Sequence, residues 1–402
     1  MSDKQISSLA VRLYGRRIGA LTRLADDHYL YSFDQAYVDE NDRPAFSLSF
    51  KGSAGGLITS VRPYKGRLPP FFSNLLPEGH LRDYLAARAG VKPDRPFFLL
   101  AALGTDLPGA VSVLPEDDPH DDDDQGRGRH APMRFSLAGL QLKLPALMET
   151  DGGLAIPADG VGGTWIVKLP SSRFEGVTEN EHAMMELARR IGITVPRFKL
   201  VPISAIEALP RDILKKQGRA FAIERFDRKP DGGRIHMEDF AQVFGIHSDK
   251  KSEKRGYADI AVVLSAEAGM ESAMDFARRL VFSVLIGNTD MHLKNWSLLY
   301  KDGRKATLAP AYDFISTVPY LSNDQLALDF GGDKKIDSIS LDQIRRFAET
   351  VRLAVTPLWQ MVQETTELTM QTWKSLEVKD EIPVAIRSTI EKHMHRTAVS
   401  IK

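Results

Sequence analysis

Apolar positions change their spacing near Phe226. Before it, short runs dominate. Val11 to Tyr14 and Gly19 to Leu21 read as strands around a turn at Gly15 to Arg17, and Tyr29, Tyr31 and Phe33 alternate as on a half-buried strand. FFSNLLPEGHLRDYLAARAGV reads as a loop entering a helix, opened by Pro77, favoured in its first turn by Glu78 and closed by Gly90. TWIVKLP is a short strand ending at Lys168, and KLVPI and AFAIERF supply two more. Between them Ala183, Met184, Leu187, Ala188 and Ile191 share one helical face. Thr178 is the expected cap of that helix, Glu181 its capping-box partner and Gly192 its stop. After Phe226 the period lengthens. Ala277, Leu280, Val281, Val284 and Leu285 line a buried helix that ends at Gly287. Trp296 to Tyr300 reads as a strand, Asp302-Gly303 as a hairpin turn and the return strand as running to about Ala309. LWQMVQETTELTMQTWKSL and IPVAIRSTIEKHMHRTAV read as amphipathic helices, and no internal repeat is detectable.

This pattern predicts an α+β protein in four parts. A strand-containing module spans 1–113, a linker 114–132, a β-rich lobe 133–226 and a helical lobe 227–402. The linker, LPEDDPHDDDDQGRGRHAP, is acidic and then Gly/Arg-rich, with no apolar period. A chain of 402 residues with 43% hydrophobic content has ample material for several cores. Its 53 basic and 53 acidic residues balance, so global charge does not point to nucleic acid. The chain has no cysteine, which excludes disulfides, thiolate metal sites and cysteine nucleophiles. The start, MSDKQISSLAVRLYG, lacks a signal-peptide core, and no apolar run is long enough to span a membrane. A cytoplasmic protein is expected.

The stretch GNTDMHLKN, Gly287 to Asn295, is the strongest chemical signal. Its Asp290 and Asn295 have the spacing that separates the base and a metal ligand in protein kinases. Asp290 follows a buried helix, a rigid support for a base. Asn295 offers a neutral amide oxygen to a hard cation, and Asp313 in APAYDFIST is a second oxygen ligand. The hairpin turn returns Asn295 and Asp313 to the same end. His292 suits a structural or nucleotide-contacting role, and Lys294 either contacts phosphate or is a solvated loop lysine. Lys168 ends an apolar strand, where holding nucleotide phosphates explains it. Its carboxylate partner is Glu181 or Glu186. FSLAGLQLK has one glycine, but Ala138, Gly139 and Leu140 offer backbone N–H groups, with Gln141 and Lys143 assisting. Glu224, Arg225 and Phe226 stand at the lobe boundary, where a kinase-like enzyme offers backbone groups to adenine. His393 and His395 lie two apart on a helix and so do not share a face.

Together these segments resemble the HipA-type serine/threonine kinases, toxins of type II toxin–antitoxin systems. NLLPEG and LGTDLPGAVSV resemble that family's N-terminal domain, and FSLAGLQLKLPAL its phosphate loop. WIVKLP, ENEHAMMELARRIGI, AIERFDR, MEDFAQVFG, GNTDMHLKN and APAYDF succeed one another in the family order. The resemblance implies a two-lobed protein-kinase-like fold, with a β-rich N-terminal lobe, an added N-terminal subdomain and an all-helical C-terminal lobe. It implies ATP and Mg2+ as cofactors and Asp290 as catalytic base, with Asn295 and Asp313 as metal ligands. Lys168, the loop from Ala138 through Leu142 to Lys143, the hinge from Glu224 to Phe226, the run from His292 through Leu293 to Asn295, Tyr312 and Asp313 would form the ATP site. Ser136 matches the serine such kinases autophosphorylate. The implied substrate is an aminoacyl-tRNA synthetase, often the glutamyl one. The implied partners are a HipB-like helix-turn-helix antitoxin, operator DNA reached mainly through it, and a second copy of the chain within that complex. Nucleoid association would come with the antitoxin. Two other classes fit parts of the pattern: a small-molecule or lipid-headgroup kinase, and a non-catalytic DNA-bound co-repressor scaffold.

Overall fold

The computed structural model describes residues 6–116, 143–149, 153–157, 162–209, 218–322 and 325–401. Ser136, Ala138 to Leu142 and most of the linker lie outside them.

The N-terminal module is built on five strands: β1 (Ser8–Leu13), β2 (Arg16–Arg23), β3 (His28–Phe33), β4 (Tyr64–Lys65) and β5 (Val111–Pro115). Their order is β4-β3-β2-β1-β5. Tyr14 and Gly15, both at positive φ, make the first turn. Tyr29 and Tyr31 alternate inward as expected, and the Tyr31 ring lies 5.0 to 5.7 Å from Phe72, Phe46 and Phe50. The β5 strand runs through Pro115, past the expected start of the linker. FFSNLL, expected as a loop, is instead helix Pro70–Leu75, with proline in its first turn and Phe71, Phe72 and Leu75 buried. Leu76 is extended, as a residue before proline prefers, and this separates Pro70–Leu75 from the next helix, Gly79–Ala89. Glu78, not Pro77, occupies the cap position of that second helix, and Gly90 closes it.

The β-rich lobe holds β6 (Lys143–Met148), β7 (Leu154–Ala155), β8 (Trp165–Lys168), β9 (Phe198–Pro202), β10 (Ile206–Glu207) and β11 (Arg219–Glu224) in the order β10-β7-β6-β8-β11-β9. Register decides what this sheet presents. Lys143 pairs across from Lys168, and Phe221 from Lys168 on the other side, so two lysines stand together at one end. The helix between β8 and β9 is Val177–Arg190. Its cap is Gly176 in the left-handed region, not Thr178, which lies buried in the first turn. A Cβ at Gly176 would stand 2.5 Å from Pro383, so only glycine admits this entry. With no capping box, Glu181 is released for another partner.

Beyond Phe226 helices dominate, including Tyr257–Glu267, Met270–Leu285, Leu341–Val351, Val355–Ser375 and Val384–Ser400. The lobe is not helical throughout: β12 (His236–Asp239), β13 (Ser297–Tyr300) and β14 (Thr307–Leu308) form a small sheet, as the Asp302-Gly303 turn foreshadows. One large core joins this lobe to the Val177–Arg190 helix, and the module and the β-rich sheet each have a core of their own. The module packs on the helical lobe as well. Asn74 donates to the Ile246 carbonyl at 2.7 Å, Ala45 N–H to Gly303 at 2.8 Å and Gln242 to Phe71 at 3.2 Å. No helix among the described residues is long and apolar enough to cross a membrane.

Candidate functional site

The Met270–Leu285 helix buries Phe276, Leu280, Val281, Val284 and Leu285, which makes it a firm base for the loop at its C-terminal end. Gly287 turns the chain at φ +71°, and a Cβ there would meet Val318 and His393 at 2.8–2.9 Å. Both the backbone angle and the space therefore require glycine. The loop beyond Gly287 is laced to the 313–318 stretch. Thr317 and Val318 donate backbone N–H groups to the Gly287 carbonyl, at 2.9 and 3.2 Å. Thr289 N–H donates to Thr317 Oγ1 at 2.8 Å, and Asn288 Nδ2 to the Asp313 carbonyl at 3.1 Å. Asn288 Oδ1 in turn accepts from Asp290 N–H at 3.1 Å. Asn288 and Thr317 are thus the supports of the loop, and they had no distinguishing signal in the sequence.

The Asp290 side chain is exposed to the cleft. The packed protein behind it still raises its carboxyl above the ordinary value, with Asp313 and Glu78 adding to the rise and Lys251 and Lys143 opposing it. Asn295 Nδ2 donates to the Asp290 carbonyl at 2.7 Å, which orients the amide and leaves its oxygen as the end for a cation. His292 is buried, and burial with Lys251 nearby lowers it to about 4, so the ring is neutral near pH 7. Its Nε2 lies 4.0 Å from Asp290 Oδ1, and its Nδ1 is buried with no hydrogen-bond partner among the described residues.

Asp313 takes φ +56° and receives two cations from the β-rich lobe. Lys168 bridges Glu181 and Asp313, and Lys143 reaches the other Asp313 oxygen at 3.2 Å. Burial works against the Asp313 charge, but the two ammonium groups outweigh it and hold the carboxyl well below the usual range. The same two carboxylates overcome burial for Lys168 and keep its ammonium charged. The partner of Lys168 is therefore Glu181. Glu186 instead binds Arg189 and Arg190, at 2.6 and 2.8 Å.

The remaining candidates are placed less uniformly. Tyr312 donates to the Lys294 carbonyl at 2.9 Å and lies 5.6 Å, ring to ring, from Phe226. The Leu293 side chain is in the core. The Lys294 ammonium turns onto Glu78, at 2.6 Å, and the Asn74 carbonyl, at 3.2 Å. The ammonium is thus paired within the protein rather than solvated. Glu224 pairs with exposed Arg197 at 2.6 Å, while Arg225 is buried between Asp106 and Asp227. The Glu224 and Arg225 N–H groups donate to Arg197 and Thr164 carbonyls. His393 Nε2 donates to the Val284 carbonyl, 2.9 Å away, in a packing role.

A magnesium ion fits this donor set. Asn295 and Asp313 offer hard oxygen donors beyond the two ends of the β13–β14 hairpin, and magnesium is commonly held by one or two side chains plus phosphates and water. No group of three or more His, Cys, Asp or Glu residues that could hold a metal ion lies among the described residues.

The two domains match separate families over most of their length. Residues 9–114 match the HipA N-terminal domain, and residues 135–373 the HipA-like C-terminal domain. This chain belongs to the HipA family. It is 48% identical over 398 residues, 97% of each chain, to Y4dM of Sinorhizobium fredii (strain NBRC 101917 / NGR234), a protein named provisionally as a kinase. It is 26% identical over 403 residues to the serine/threonine-protein kinase toxin HipA of Shewanella oneidensis, covering 88% of this chain and 85% of that one. The fold agrees with a chain of the Shewanella oneidensis MR-1 complex of HipA, HipB and operator DNA: TM-score 0.73 at 23% identity, covering 98% of this chain and 96% of that one. The HipA-type, kinase-like two-lobed fold is thus established for this chain.

Proposed function

We propose that this HipA-family chain is an ATP-dependent serine/threonine protein kinase with Asp290 as its base. One observation carries the reading: Lys168 of the β-rich lobe meets Asp313 of the helical lobe, and Asp290 faces the same cleft. Phosphoryl transfer needs positioning and charge neutralisation more than covalent help from the protein. Lys168 and Lys143 hold phosphate oxygens. Asn295 and Asp313 would hold magnesium, which would supply charge neutralisation on the phosphates. Asp290 takes the proton of the acceptor hydroxyl, whose oxygen bonds to the γ-phosphorus as the bond to the β–γ bridging oxygen breaks and ADP leaves. Neutral His292 beside Asp290 adds no positive charge that would weaken the base.

The target is a protein of the translation machinery, an aminoacyl-tRNA synthetase such as the glutamyl one, and its modification arrests growth. Family membership supports a helix-turn-helix antitoxin as partner, with operator DNA reached through it. Ser136 is the site of self-inactivation, since a phosphate there adds about −1.5 to −2 charge to a loop meant for ATP phosphates. Incubating purified full-length protein with labelled ATP tests the reading. Wild type incorporates label at Ser136 and on a co-purified synthetase, and Asp290→Asn loses at least about 10³-fold in rate, the scale of a lost general base with its charge. Label passing to a lipid or small alcohol and to no protein would overturn it.

A further inference from the structure

The NLLPEG turn of the N-terminal module ends against the Asp290 loop. Glu78 stands at a helix cap, yet its carboxylate makes no capping bond. One of its oxygens accepts from Lys251 Nζ at 2.6 Å, and the other pairs with Lys294 Nζ at 2.6 Å. Lys294 immediately precedes Asn295, and its side chain is largely buried. Lys251 holds the same loop through its backbone, accepting the Leu293 N–H at 3.2 Å. A single carboxylate therefore grips the loop twice, at the 294 side chain and, through Lys251, at the 293 main chain. Burial disfavours charge on Glu78, but Lys294 and Lys251 outweigh it and keep the carboxyl below its ordinary value. Charge-assisted bonds of this length are among the stronger polar contacts in proteins.

We propose that Glu78 is a positioning residue for phosphoryl transfer, setting the Asp290–Asn295 loop through Lys251 and Lys294, so that the N-terminal module completes the working site. The inference rests on the reading of Asp290 as base.

Hydrogen exchange on the full chain decides the matter. In Glu78→Gln, peptides spanning 287–296 should exchange about tenfold faster, the worth of one charge-assisted bond. The rate of transfer should fall about tenfold with the KM for ATP within about threefold. Lys51→Ala breaks a different ion pair between module and helical lobe, Lys51 to Glu267 at 2.6 Å, and should leave the loop unchanged. Unchanged loop exchange in Glu78→Gln, or equal acceleration by Lys51→Ala, overturns the proposal. Should Glu78→Gln unfold the module, Lys251→Met tests the same grip with the module intact: faster loop exchange supports it, and unaltered exchange overturns it. If the wild type transfers no phosphate, the base assignment fails, and exchange still decides whether Glu78 holds the loop.

Discussion

Two clusters of buried charge invite comparison. In the cleft, Lys168 and Glu181 are nearly sealed at 5% and 2% side-chain exposure, while Asp313 and Lys143 open to 23% and 42%. At the seam between the N-terminal module and the β-rich lobe, Asp106, Arg225, Asp227 and Arg228 are evenly closed, at 5–11%. Each cluster holds two cations and two anions. Their connections differ. In the seam, Gly162 and Gly109 N–H groups donate to Asp106 and Asp227, both at 2.8 Å, and Arg228 donates to the Leu107 carbonyl at 2.8 Å. The cleft contacts run from side chain to side chain, graded toward solvent. Backbone groups lock the seam as a staple, whereas the cleft's outer pair, Lys143 and Asp313, stays open to solvent. Burial of charge alone marks neither a site nor its absence; the direction in which polar capacity remains open does.

The largest expected effect is that of Lys168→Met. It removes the cation shared by Glu181 and Asp313, and labelled-ATP transfer should fall at least about 10³-fold, as loss of a preorganised charge on transferring phosphate does. The variant should still melt cooperatively, because Glu181, already pushed up by burial, can take a proton. A rate within tenfold of wild type would break the contrast by making the cleft a second staple.

How far the sequence revealed this contrast depended on distance along the chain. Asp290 and Asn295 sit in one short loop, and the Asp302-Gly303 turn brings Asp313 back to it, so local signals sufficed. Lys168 was legible as a lysine where a strand should be apolar. The choice between Glu181 and Glu186 was not, because a capping box explained Glu181 equally well. Only the left-handed entry at Gly176 removes that explanation. Glu78 read as a helix-start acid, while its partner Lys251 lies 173 residues away. Asp106 and Arg228 are separated by 122 residues, with no periodicity to connect them. Ion pairs between distant segments leave no pattern in a single sequence, since each member looks like an ordinary charged residue until the fold brings them together.

The second effect is on stability. Asp106→Ala leaves two guanidinium groups sharing Asp227, and breaking a buried pair in this way costs about 3–5 kcal/mol. Urea unfolding should report that loss, with the sharpest change in the module that β5 and the LGTDLPG turn anchor. Lost phosphate transfer at undiminished stability would instead move the seam into the site, through Arg225 and the strand end it occupies.

The smallest effect tests a third buried group, where charge is avoided rather than paired. Glu238 on β12 accepts from Ser47 Oγ and Tyr300 OH, both at 2.6 Å, and from Leu48 N–H at 3.0 Å. Burial raises it from 4.5 to about 7 despite those donors. A carboxyl raised on folding binds more protons in the native state, so its contribution is full below about 4.5 and is lost as pH rises through about 7. Its neighbour on the same strand, His236, is lowered from 6.5 to about 4 by burial and has the opposite sign, adding stability as pH rises across that window. The two slopes largely cancel in the wild type. Glu238→Gln keeps the shape and deletes only the first. The stability difference between variant and wild type should therefore grow in the variant's favour from pH 4.5 to 7, by about 1–2 kcal/mol. Because it is a difference, other titrating groups drop out. A pH-independent difference would mean that Glu238 is ionised in the fold, held like Asp106 by its donors, and that the interface of module and helical lobe is a staple of the same kind as the seam.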